Sequence, residues 1–229
     1  MESREREEAA PEGDGPIRVL IVDDQPVVRA GLKAMLNVEG ITVVGECRSG
    51  EESVAASREL QPDVVLMDVN MPDMNGLEAT RLIKGESPGS AVIIVTGVES
   101  KDYLRSAIEA GAVGYLVKGM EREMFVQAVR LVQQGGSLID ASMLAYLAKE
   151  TRVGPGGEER DGIQALSPRE REALRHIVQG KTNKEIAQEM SYSTGTVKNL
   201  VQSITEKLGV ADRTQAAVYA VRAGIDDEE

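Results

Sequence analysis

Along the first part of the chain, short, mostly apolar runs alternate with segments whose apolar residues recur at helical spacing. The runs at 17–22, 41–44, 64–67, 91–95 and 114–117 predict five strands, and residues 26–38, 50–60, 76–84, 100–110 and 121–134 predict the helices around them. Continuous apolar strands interleaved with helices make a doubly wound parallel sheet covered on both faces. Right-handed crossovers then bring the carboxyl ends of all the strands to one edge, where open α/β sheets bind ligands. Beyond a break at 151–162, rich in glycine and charge, helical signals resume. Ser167, Pro168 and Glu170 form a capping box with proline at the first helical position, and Gly180 ends that helix. Thr182 and Glu185 repeat the box, a turn follows at 191–193, and a longer helix at 194–208 stops at Gly209. Asp212 and Gln215 open a last helix that ends at Gly224. A short helix, a tight turn and a longer helix make a helix-turn-helix, here inside an all-α four-helix unit.

These patterns divide the chain into a disordered acidic tail at 1–15, an α/β domain at 16–136, a linker with a short helix at 137–165, a helical domain at 166–225 and an acidic end at 226–229. The net charge of −12 argues against nucleic acid as a partner of the whole, because phosphate binding needs a basic surface. The charge is unevenly placed, however: residues 166–225 carry nine Lys and Arg against six Asp and Glu. That asymmetry suits an acidic input module joined to a DNA-contacting output module. Apolar runs such as 91–95 fall far short of the roughly 20 residues of a spanning helix. Residues 1–10 are charged throughout and contain no signal-type apolar core, and the single Cys47 allows neither an internal disulfide nor a zinc cluster. The expectation is a cytoplasmic protein with no membrane partner.

The residues at the strand ends are polar in a way the fold does not demand. Strand one runs into Asp23 and Asp24, strand three into Asp68, strand four into Thr96 and strand five into Lys118. Three carboxylates at one edge repel one another unless a cation neutralises them. Oxygen donors without His or Cys point to a hard ion, with Mg²⁺ the first choice. In this setting a lysine ammonium pairs with the cluster, and a threonine hydroxyl can bond an added phosphoryl oxygen.

The segments Val19-Leu-Ile-Val-Asp-Asp24, Asp68-Val-Asn-Met-Pro-Asp-Met-Asn-Gly76, Thr96 and Gly114-Tyr-Leu-Val-Lys118 resemble the receiver domain of two-component response regulators, a flavodoxin-like α/β fold. The resemblance implies that Asp68 accepts a phosphoryl group. It also implies that Asp24, Asp68 and the carbonyl of Asn70 hold Mg²⁺, with Asp23 acting through a metal-bound water. Lys118 then contacts the phosphoryl group, and Thr96 with Tyr115 forms the switch that reports it. Gly97, small and next to the threonine, leaves the approach open. Val98 and Gly119 depart from the usual pattern at positions that bear on the lifetime of the phosphoryl group.

In the longer helix of the second domain, Val197, Leu200, Val201, Ile204 and Leu208 form an inward stripe, while Lys198, Asn199, Gln202 and Ser203 lie on the other side. Such polar side chains suit base edges and phosphates in a major groove. The stretches 166–172, 183–187, 195–199, 207–210 and 213–216 resemble the LuxR-type output domain of the NarL/FixJ response regulators. By that resemblance Lys198, Asn199 and Gln202 face the groove, with Thr194 and Thr196 near the DNA backbone. Ala216, Ala217, Tyr219 and Ala220 on the last helix suit either core packing or a dimer contact. His176, without a flanking catalytic partner, is read as structural.

Together these features describe a DNA-binding transcriptional regulator, not a dedicated enzyme. The resemblance implies that phosphorylation of Asp68 by a sensor histidine kinase switches it and that it dimerises to bind a palindromic double-stranded DNA operator. RNA polymerase is a candidate further partner. An inactive form in which the receiver covers Lys198 and Asn199, with 138–149 as a connecting helix, is a further expectation. Two alternatives remain open at this point: constitutive DNA binding with the receiver as a dimerisation scaffold, and a phosphotransfer or hydrolase enzyme.

Overall fold

The computed structural model describes residues 15–97, 100–139, 144, 146–148 and 162–225. The expected tails (apart from Gly15), Val98 and most of the linker lie outside the described residues. The first domain runs β1 (Ile17–Val22), α1 (Pro26–Met35), β2 (Ile41–Cys47), α2 (Gly50–Leu60), β3 (Val64–Asp68), α3 (Gly76–Glu86), β4 (Ala91–Thr96), α4 (Lys101–Glu109), β5 (Gly114–Val117) and α5 (Arg122–Gln133). The second runs α6 (Pro168–Val178), α7 (Asn183–Glu189), α8 (Thr194–Leu208) and α9 (Arg213–Ala223).

The five strands are parallel in the order β2-β1-β3-β4-β5. This is the flavodoxin-like winding, and its direction reverses between β1 and β3. Alternation along the strands divides the core in two, as the pleat requires. Val19, Ile21, Leu66, Ile93 and Val95 pack with Leu32, Phe125 and Val129 of α1 and α5. Their neighbours Leu20, Val22, Val65, Met67, Val92 and Ile94 pack on the other face with Ala79, Ile83 and Ala107 of α3 and α4.

β2 extends three residues beyond the apolar run because Gly45, Glu46 and Cys47 pair with Leu20, Ile21 and Val22 after a register shift. β2 is an edge strand, so the exposed Glu46 is accommodated there by an ion pair with Lys33, 2.6 Å away.

In the second domain both capping boxes form. Val197, Ile204 and Leu208 are buried, with Leu200 and Val201 packed against the same core. Ala216 and Ala220 are both 0% exposed within that core, so of the two readings the folded chain shows core packing at these positions. Tyr219 is only partly buried and lies beside Gly162. The described part of the linker is helical at 144 and 146–148, and Leu144, Leu147 and Ala148 are buried there. Among the described residues no helix is long and apolar enough to cross a membrane.

Candidate functional site

At the reversal point of the sheet, Asp23, Asp24 and Asp68 each bring an oxygen within 4.8 Å of the other two. β1 and β3 lie side by side in register, so their C-terminal residues must meet. The loop after β3 folds back tightly: Gly76 donates its N–H to the Val69 carbonyl, and a Cβ at Gly76 would sit 1.9 Å from the Asp68 carbonyl oxygen. Only glycine lets this loop close behind Asp68. Asp23 is fixed on several sides. Its Oδ1 accepts the Gln25 N–H at 2.9 Å, and its carbonyl accepts Arg29 Nη1 at 2.6 Å.

The Lys118 ammonium bridges Asp23 Oδ2 at 2.7 Å and Asp68 Oδ1 at 2.9 Å. Burial alone pulls the lysine pKa down, but the two carboxylates outweigh it and hold the group above its usual value. Burial pushes the Asp68 carboxyl up, and the nearby Asp23 and Asp24 add to this against the pull of Lys118. Asp68 Oδ2 and Asp24 Oδ1 are buried oxygens with no hydrogen-bond partner among the described residues. Three carboxylates against one ammonium leave an excess of two negative charges, and two uncommitted oxygens face that excess. The residues therefore fit a hard divalent cation. Asn70 is exposed on the loop immediately after β3.

Thr96 ends β4, fully buried, and Lys118 donates its backbone N–H to the Thr96 carbonyl at 2.6 Å. Gly97 has open space where a side chain would stand, which leaves access to the strand edge. Tyr115 is half-buried and packs against the sheet core and also against the cluster shared by α4, the linker and the second domain. The structure thus gathers Asp23, Asp24, Asp68, Thr96 and Lys118 at one edge and places Tyr115 between that edge and the other domain.

On α8, Thr194, Thr196, Lys198, Asn199 and Gln202 are all exposed. Ser193 caps the helix by accepting the Thr196 N–H at 3.1 Å and also bonds the Thr196 hydroxyl at 2.8 Å. Gln202 donates its amide to Glu206 at 3.0 Å. The receiver does not cover this face, contrary to the expected closed form; it meets the α7 and α9 starts instead. His176 lies 3.2 Å from Glu189 and beside Lys181, in a local polar cluster.

Sequence reading missed two structural centres. The sequence pattern marks Glu170 only as a cap, yet it also pairs with Lys207 at 2.7 Å and accepts the Ser203 hydroxyl at 2.7 Å. The pattern marks Gln215 and Asp212 only as helix-start residues, yet both reach the receiver. No local signal marks either, because the partners are distant in sequence.

Residues 19–130 match the response regulator receiver domain family, and residues 164–220 match the bacterial regulatory proteins of the luxR family. The transcriptional regulatory protein LnrK of Bacillus subtilis (strain 168) is 39% identical over 216 residues, covering 91% of this chain and 98% of that protein. The nitrate/nitrite response regulator protein NarL of Escherichia coli (strain K12) is 34% identical, covering 89% and 94%. Among solved structures, a LuxR-family two-component response regulator from Aurantimonas sp. SI85-9A1 is 31% identical with a TM-score of 0.54, covering 59% of this chain and 98% of its own. The Salmonella typhimurium RcsB response regulator is 26% identical with a TM-score of 0.52, covering 86% and 93%.

Proposed function

Because the chain belongs to the two-component response regulators that join a receiver domain to a LuxR-type DNA-binding domain, we propose that its regulatory chemistry takes place on Asp68 and is read out through α8. The uncommitted, buried Asp68 Oδ2 carries this reading. A lone pair on that oxygen forms the new O–P bond as the bond between phosphorus and the donor breaks, the donor being a phosphohistidine of a sensor kinase. Asp24, Asp68 and the Asn70 carbonyl are the residues that would hold Mg²⁺, with Asp23 acting through a water. When bound, the ion neutralises charge on the transferring group. Lys118 lies against Asp68 Oδ1, so its ammonium can follow the charge onto the phosphoryl oxygens.

Thr96, at the end of the adjacent strand, supplies a hydroxyl for the new group. Movement at Thr96 is passed to Tyr115, which packs on the cluster shared with the second domain. The phosphoryl group acts by favouring one arrangement already accessible to the chain. Dimerisation then places two α8 helices on a palindromic operator, where Lys198, Asn199 and Gln202 face the groove and Thr194 and Thr196 the backbone. This activity belongs to the cytoplasm, with RNA polymerase as a further partner and no separate enzyme activity.

The test is incubation with Mg²⁺ and a small phosphodonor, followed by intact mass and size-exclusion analysis. Wild type gains one phosphoryl group and shifts toward dimer, chelation of Mg²⁺ prevents both, and Asp68→Asn gains nothing. An equal mass gain in Asp68→Asn overturns the assignment, and unchanged operator affinity in that variant favours constitutive binding. Separately, Lys198→Ala is expected to weaken operator binding about tenfold or more and to lower the salt slope by about one, read by titration at several salt concentrations.

A further inference from the structure

The two domains meet end to end, with helix starts of the second set against helix ends of the first. Gln215 Nε2, in the first turn of α9, donates to the Ile108 carbonyl at 2.9 Å and the Glu109 carbonyl at 3.4 Å, which close α4. The Asn183 N–H, at the start of α7, donates to the Gln134 carbonyl at 3.2 Å, just past α5. The Ser137 and Thr214 hydroxyls meet at 3.3 Å. One helix-start N–H, that of Asn183, thus meets a carbonyl just past a helix end directly, while at α4 the Gln215 side chain makes the link. Gly135 permits the contact, since a Cβ there would lie 2.3 Å from the Asn183 amide. Around these bonds Leu104 and Ile108 of α4 join the apolar core of the second domain.

Into this joint the fold inserts a carboxylate. Asp212 caps α9, its Oδ1 accepting the N–H groups of Thr214 at 2.7 Å and Gln215 at 2.9 Å. Its Oδ2 is buried with no hydrogen-bond partner among the described residues, facing the turn at Gly111, where a Cβ would stand 3.4 Å from it. The charged groups around it are few. Lys84 of α3 attracts it, but that ammonium is held by the carbonyls of Pro88 at 3.0 Å and Ser90 at 3.1 Å. Arg213 of α9 is committed to Asn183 Oδ1 at 3.1 Å and the Lys181 carbonyl at 2.6 Å, with Glu185 of α7 adding attraction. Glu109 of α4 offers its carbonyl to the joint, while its carboxylate lies exposed, 3.9 Å from Arg105.

We propose that closing this interdomain joint takes up a proton on Asp212, so that the domains close on acidification and part as the pH rises. Burial pushes the Asp212 carboxyl up to about 6, against the two N–H bonds and the attraction of Lys84 and Arg213. Once the joint parts, Oδ2 meets water and keeps the same capping bonds, so the group returns to the ordinary range near 3.8 or below. The closed form therefore binds the proton more tightly. Closing is favoured as pH falls through about 6 and loses that support above it. With those two values the closing constant rises about tenfold from pH 7.5 to pH 5. Burial also lowers the Lys84 and Arg213 pKa values, and their contribution is separated by comparing variants at the same pH. Because α4 and Tyr115 share the joint's apolar cluster, acid opposes any rearrangement of those elements. Only that consequence rests on the phosphorylation reading; the proton linkage does not.

The test is small-angle X-ray scattering of the unphosphorylated full chain at pH 5 and pH 7.5, extrapolated to zero concentration. Wild type is expected to be compact at pH 5 and to gain an extended population at pH 7.5, while Asp212→Asn, which keeps the cap and cannot ionise, stays the same at both. Lys84→Met, which removes the facing cation, should widen the wild-type change. A wild-type profile that does not respond to pH, an Asp212→Asn profile that follows the wild-type change, or a narrower change in Lys84→Met overturns the proposal.

Discussion

Replacing Lys118 by methionine is expected to slow phosphorylation of Asp68 about a hundredfold while tightening Mg²⁺ binding. The ammonium lies between Asp23 and Asp68 at 2.7 and 2.9 Å, where negative charge on the transferring group must be met. Without it, three carboxylates face one another with no resident cation, and a divalent ion becomes the sole neutralising partner. The protein without Mg²⁺ should therefore melt lower than wild type, and added Mg²⁺ should raise the melting temperature by more. Thermal melts with and without the ion, run beside a phosphorylation time course, check both halves. Equal phosphorylation rates in the two proteins would remove Lys118 from the reaction.

Glu170→Ala is expected to cost the second domain about 3 kcal/mol at neutral pH, a large share of the roughly 3–9 kcal/mol available to a unit of its size. Burial alone would raise the Glu170 pKa, but the bonds from Lys207, Ser203 and Ser167 outweigh it and bring the carboxyl down to about 2. A carboxyl held that low stabilises the fold above its ordinary value near 4.5, and the contribution disappears as pH falls from there toward 2. Wild type should thus lose this part of its stability on acidification, and the variant should lack that component. Urea unfolding at pH 7 and at acidic pH measures the difference. In the intact variant, operator binding should fail while phosphorylation of the receiver persists.

Much of the candidate site was legible in the chain because its parts sit at the ends of local patterns. Each strand is an apolar run, and the first polar residue after it occupies the sheet edge. Asp23, Asp68, Thr96 and Lys118 were therefore placed as soon as the strands were. Asp68 and Thr96 turned out to be the last residues of their strands, one position inside the expected boundary. The polar side chains of α8 were readable for a similar reason, since the stripe through Val197, Ile204 and Leu208 fixes which face is left to solvent.

Other features depend on partners that no periodicity announces. A carboxylate three residues into α6 reads as a cap whether or not Lys207 arrives 37 residues later. Small residues on α9 read equally well as a core face or a contact face, and only the assembled domain shows Ala216 and Ala220 sealed inside. Gly45 and Glu46 break the apolar pattern and so conceal the last part of β2, whose pairing is dictated by β1.

The amino-acid order by itself determined the two domains, a parallel sheet covered on both faces, the helix starts and the gathering of carboxylates, because all of these follow from interactions among near neighbours or from the alternation of strands and helices. Tertiary structure alone decided that the domains join helix start to helix end, that α8 stays uncovered and that Asp212 loses its water. Burial of a charge is set by what packs over it from elsewhere in the chain.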